Sequence, residues 1–169
     1  MMKNDHLRNP FWALVFLTYG ALMLYLLFFR DRTIASGIPY WEQVKNNYNL
    51  SAWRTIGNFW DVLVRREYYM EKWGAVAIYR ANAYAAFINL AGNVVMFVPF
   101  GAFLPAMWPK LQKAWKAIAV GFLCIIGVEL LQLFTLLGKC DVDDVLLNMT
   151  GIIAGYGFWR LIQCFSKRK

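Results

Sequence analysis

Histidine occurs once, at His6, cysteine three times, and charged residues make up only 17% of 169 positions. A single histidine excludes a multi-histidine metal site and a histidine-based triad within one chain. Cys124, Cys140 and Cys164 are odd in number and lack paired metal-ligand spacing. Cys124 and Cys164 fall in apolar runs and are expected as small buried hydrophobes. There is no internal repeat, which argues against a transporter with its site between repeats. Acidic residues are scarce: beyond Glu71 only Glu129, Asp141, Asp143 and Asp144 remain.

What is abundant is apolar side chain. Apolar residues make up 60% of the chain, against roughly 45 to 50% in soluble proteins, and a soluble domain this small still exposes about a third of its surface. Residues 11–29 and 81–109 carry no charge over 19 and 29 positions. By helical rise the shorter run covers about 28 Å, close to the hydrocarbon thickness of a bilayer. It is longer than a signal-peptide core and ends at Phe28, Phe29 and Arg30 without a small-residue cleavage site, so an uncleaved first membrane helix is expected. The net charge of +8 does not mark nucleic-acid binding, because the basic residues sit at the ends of apolar runs.

The chain therefore reads as one all-α domain over 1–169, a polytopic membrane protein with four transmembrane helices at about 11–29, 83–107, 117–137 and 144–163. The connection 30–80 contains Trp53, Ile56, Phe59, Trp60, Leu63 and Val64 at helical spacing, the pattern of a helix in the interface plane or of a small soluble helix packed on the membrane domain. The aromatic and charged stretch 65–80 reads as interfacial anchoring. Pro99 and Gly101 permit a kink in the second helix, and Pro105 and Pro109 are expected to close it. Lys3 and Arg8, then Lys110, Lys113 and Lys116, then Arg160, Lys167, Arg168 and Lys169 place both termini in the cytoplasm. Arg30 and Arg32 count against that orientation.

Ionisable groups inside a bilayer are too costly to be incidental. Asn89 and Asn93 share a face of the second helix, as do Glu129 and Gln132 on the third. Lys139 follows in the turn. Asp141, Asp144, Asn148, Gly151 and Gly155 form one stripe leading into the fourth helix, with Asp143 beside it. Asn89 and Glu129 lie at similar depths, roughly 12 and 13 Å by helical rise, so these groups are expected to share one cavity. Partners for Glu129 are sought among Asn89, Asn93, Gln132, Lys139, Arg54 and Arg80. The cluster is open to three readings: glue between helices, recognition of the headgroup of a lipid-linked or amphiphilic molecule, or acid, base or divalent-metal chemistry in a membrane-embedded enzyme. No catalytic residue, resident metal or cofactor is marked.

These residues resemble the VanZ-like family of small bacterial membrane proteins. The stretch Asn49, Leu50, Ser51, Ala52, Trp53, Arg54, Thr55, Ile56 is similar to a family segment after the first helix, with Ala52 and Trp53 where proline and phenylalanine are frequent. Asn89, Asn93, Phe97, Pro99, Phe100 and Gly101 resemble its asparagine helix, Glu129 and Gln132 its glutamate and glutamine pair, and Asp141, Asp143, Asp144, Asn148, Gly151 and Gly155 its acidic helix start. Lys139 stands where the family usually has arginine, which keeps the charge and loses the bidentate fork. The resemblance covers about 49 to 160. It implies a bacterial cytoplasmic-membrane protein whose outer polar pocket meets membrane lipids, a lipid-linked envelope component or a lipophilic glycopeptide, with a cell-envelope or teicoplanin-resistance role. The alternative it leaves open is a carboxylate- or metal-dependent enzyme on a lipid-linked substrate.

Overall fold

A computed structural model of the chain describes residues 10–29 and 37–166. His6 and the charges at Lys3, Arg8, Arg30, Arg32, Lys167, Arg168 and Lys169 lie outside the described residues. Four helices are long and apolar enough to cross a membrane: α1 (Pro10–Phe29), α5 (Val76–Met107), α6 (Ala114–Thr135) and α7 (Val142–Ser166). Between α1 and α5 come α2 (Tyr40–Asn46), the two-residue strand β1 (Tyr48–Asn49), α3 (Arg54–Val64) and α4 (Arg66–Lys72). A second short strand, β2 (Cys140–Asp141), lies between α6 and α7. The expected all-α polytopic architecture with four membrane-length helices is the one found.

The second long helix starts earlier than its charge-free run. Gly74 turns the chain at φ 69°, Ala75 is extended, and the helix then continues from Val76. Its 32 residues rise about 48 Å, more than the hydrocarbon layer, so its first turns with Arg80 extend beyond it. Pro105 does not close the helix but lies in its last turns. The stop comes at Trp108, extended at φ −114° and ψ 105°, because a residue preceding proline is pushed out of the helical region.

Pro99 sits inside α5, where a missing N–H and a ring clash disturb the preceding turn. The Tyr19 hydroxyl from α1 enters that turn, donating to the Met96 carbonyl at 2.5 Å. A neighbouring helix thus brings a donor to a backbone carbonyl where lipid has none.

The tightest contact is between α5 and α7. Added Cβ atoms at Gly151 and Gly155 would strike the carbonyls of Val94 and Val98, and one at Gly101 the backbone of Ile152. Small residues let helix backbones meet where no hydrophobic force drives them together. Met23, Phe97, Ile125 and Ile152, one from each long helix, form the buried apolar centre. Cys124 and Cys164 are not buried as expected but exposed on the outer faces of α6 and α7. With glycines and Ile152 filling the seam, these side chains are left to face lipid.

Candidate functional site

The connection between α1 and α5 is stitched to the turn between α6 and α7. Tyr48 and Asn49 pair in parallel with Cys140 and Asp141, and the Cys140 N–H donates to the Asn47 carbonyl at 3.1 Å. The Asn47 amide donates to the carbonyls of Gly138 at 2.8 Å and Gln132 at 3.3 Å. Tyr40 donates through its hydroxyl to the Phe134 carbonyl at 2.6 Å. The Gln132 and Phe134 carbonyls belong to the last turn of α6 and have no intrahelical donors, and that of Gly138 lies in the turn beyond, so side chains of the connection complete them.

Two aspartates hold the next layer. Asp141 accepts the Asp143 N–H at 2.9 Å, an N-cap for α7, and also accepts from the Asn49 amide at 3.1 Å and the Thr55 hydroxyl at 3.0 Å. Asp143 is fully buried. Its oxygens accept N–H groups of Trp53 at 2.5 Å, Thr55 at 2.6 Å and Ile56 at 3.3 Å. A carboxylate at the positive end of α3 is favoured by the helix dipole as well as by these bonds.

Beside these ties lies a cavity of 530 Å³, large enough for a small headgroup. Its polar lining comes from Asn47 and Thr55 of the connection, Asn89 and Asn93 of α5, Glu129 and Gln132 of α6, Lys139 of the turn, and Asp141, Asp144 and Asn148, while Leu26 and Leu27 bring α1 to it. Asn93 donates to Asp144 at 2.6 Å, and Gln132 donates to the Leu27 carbonyl at 2.9 Å. Glu129, 3% exposed, accepts the Asp141 N–H at 2.9 Å and lies within hydrogen-bonding reach of the Cys140 thiol. Burial first, then the Glu129 and Asp141 carboxylates, pushes that thiol above the ordinary range.

Eight of the nine residues expected in one pocket line this cavity; Asp143 is the ninth and does not. Its oxygens are turned away into the α3 N-terminus. Arg54 and Arg80 are exposed and absent from the lining, Arg54 because it opens α3 on its outward side and Arg80 because the first turns of α5 project past the cavity. Glu129 accepts from a backbone N–H rather than from a cation or an amide, and no ion pair joins Lys139 to a carboxylate among the described residues. Asn47, Asn49 and Thr55 are the residues that periodicity missed. They lie in a non-helical stretch or at a helix start, where no spacing rule assigns a face.

Among the described residues no group of three or more His, Cys, Asp or Glu side chains is arranged to hold a metal ion. The donor set explains this: Asp141 and Asp143 are taken up by amide, hydroxyl and backbone donors. No curated protein and no solved structure matches the chain. The family model VanZ/LLP1 matches residues 16–163, beginning inside α1 and ending near the close of α7, and the chain belongs to that family.

Proposed function

We propose that this VanZ/LLP1 protein binds the headgroup of an envelope lipid or of a lipophilic glycopeptide in the cavity between α5, α6 and α7, and serves a cell-envelope or glycopeptide-resistance role. The positive-inside rule puts both termini in the bacterial cytoplasm and the cavity on the outer side, where such headgroups are found. The observation that carries the reading is Glu129, buried at 3% exposure in a polar cavity with no cation paired to it among the described residues. Structural glue ordinarily satisfies its own charges. The metal-dependent enzyme is less well supported, since the described residues offer no three-ligand group.

The test is a thermal-shift titration of the purified protein with bacterial envelope lipid extract. The extract is expected to raise the Tm of the wild type and not that of Glu129→Gln, with both melting at similar temperatures in detergent alone. A Glu129→Gln protein that no longer folds would instead assign the cluster to cohesion. Reporter fusions after Lys72 and after Lys113 test the orientation, with the first expected outside and the second inside.

A further inference from the structure

Resting on that reading, we propose that the cavity is built for a primary ammonium group carried by an amphiphile, as in an ethanolamine phospholipid headgroup. The first observation is Asn148. Its side chain is 1% exposed, it lines the cavity, and its Oδ1, itself closed from the open space, has no hydrogen-bond partner among the described residues. A buried carbonyl left without a donor is destabilising, and a half-turn of the amide about χ2 brings it to a donor carried by a ligand.

The second observation is the chemistry around it. Asp144 stands one helical turn before Asn148 on the same face. Asn93 engages its Oδ1, and its Oδ2 accepts from no described residue. Glu129 is engaged at Oε2 by the Asp141 N–H, and its Oε1 accepts from no backbone, amide or hydroxyl donor among the described residues. The cavity thus offers two free carboxylate oxygens, and the Asn148 carbonyl, closed off as the amide now stands, becomes a third acceptor when the amide turns about χ2. An ammonium group carries three N–H donors. A quaternary ammonium has none, and a phosphate would set acceptors against acceptors and negative charge against negative charge.

Charge points the same way. Three carboxylates, Glu129, Asp141 and Asp144, line the cavity against one cation, Lys139. Lys139 is exposed and therefore marks the mouth, while Glu129 and Asn148 lie deep. A headgroup with its ammonium inward and its phosphate outward would meet carboxylates at one end and a lysine at the other. Charge-assisted hydrogen bonds of this kind are the strong ones.

The experiment is native mass spectrometry of the full chain in detergent, titrated with phosphatidylethanolamine, phosphatidylcholine, phosphatidylglycerol and a glycosyl diacylglycerol. Phosphatidylethanolamine is expected to be retained at least about tenfold better than the other three, the worth of one charge-assisted hydrogen bond. Asp144→Asn preserves the bond from Asn93 and turns an N–H₂ toward the ligand, so it should remove that preference without lowering the Tm. Asn148→Leu should weaken retention similarly. If Asn148→Leu does not fold, Asp144→Asn alone decides. Equal retention of all four lipids, or preference for the glycolipid or phosphatidylglycerol, would overturn the ammonium assignment. The lipid-binding reading survives that result only if Asp144→Asn still alters retention. Free ethanolamine displacing the lipid at equal concentration would overturn the amphiphile half of the proposal.

Discussion

The carboxylate of Asp143 caps a helix that is 88 residues away in sequence, its Oδ2 accepting the Thr55 N–H at 2.6 Å. Helix α3 has no side-chain cap of its own, and its N-cap residue, Trp53, is left-handed at φ 68°. That conformation costs an L-residue roughly 1 to 2 kcal/mol. The bonds from Asp143 offset it, and through them the amphipathic helix is fastened to the head of α7.

Asp143→Ala removes the acceptor of three N–H groups at once. A loss of at least about 2 kcal/mol is expected, the upper end for a helix cap. Asp143→Asn, which retains one acceptor oxygen, should fall between. Detergent melting curves and limited proteolysis check this, with new cleavage expected between residues 50 and 60 for the alanine variant. Unchanged cleavage would mean that α3 is held by other contacts.

The seam between α5 and α7 gives an internal control. A Cβ at Gly155 would lie 2.9 Å from Ala102 N and closer still to the Val98 carbonyl, whereas Gly157 has nothing within 4 Å. Gly155→Leu is expected to cost about 3 kcal/mol, the upper end for overpacking, because the atoms it meets are backbone, and to reduce membrane abundance. Gly157→Leu should leave abundance near wild type. Quantitative blotting of membranes separates the two.

Removing the Tyr19 hydroxyl takes away the donor that α1 brings to the Met96 carbonyl in the turn before Pro99. Tyr19→Phe should lower stability by about 1 kcal/mol or somewhat more. Faster amide exchange at Phe100 is the specific sign. A stability loss without it would place the effect elsewhere.

Cys140 carries the pH prediction. Its thiol is pushed above the ordinary range, first by burial and then by the neighbouring carboxylates, so at a given pH it holds less thiolate than a free cysteine. In a Cys124→Ser, Cys164→Ser background, maleimide labelling of the native protein should lag behind that of the unfolded chain near pH 8 and accelerate as pH rises further. Because the folded state holds this proton more tightly, the thiol's contribution to stability is complete below the unfolded pKa. It is lost as pH climbs through the higher folded value. Asp141→Asn removes one of the charges and should speed native labelling.

The membrane helices were legible because charge-free runs of bilayer length are a one-dimensional signal. Their ends were less so. Charge marks where lipid is tolerated, and α5 runs on past that limit from Val76 because nothing after Ala75 interrupts the helical backbone. The pocket residues on helices could be found from spacing, since Asn89 and Asn93, Glu129 and Gln132, and Asp144 and Asn148 each recur within one turn. Asp143 shares their composition and not their role. One position along the helix from Asp144, it points to a different neighbour.

By itself the sequence determined that the chain crosses a membrane four times, that its rare carboxylates gather near one turn, and that glycines line the face of the last helix. Those are properties of order along the chain, set by hydropathy and helical periodicity. Only the tertiary structure decided which carboxylate faces an open cavity and which is consumed as a cap, and it brought Asn47, Asn49 and Thr55 to the turn from about 90 residues away in the chain. A side chain's donors and acceptors are counted in space, and an oxygen such as Asn148 Oδ1 is left without a partner among the described residues only after every neighbouring helix has been set in place.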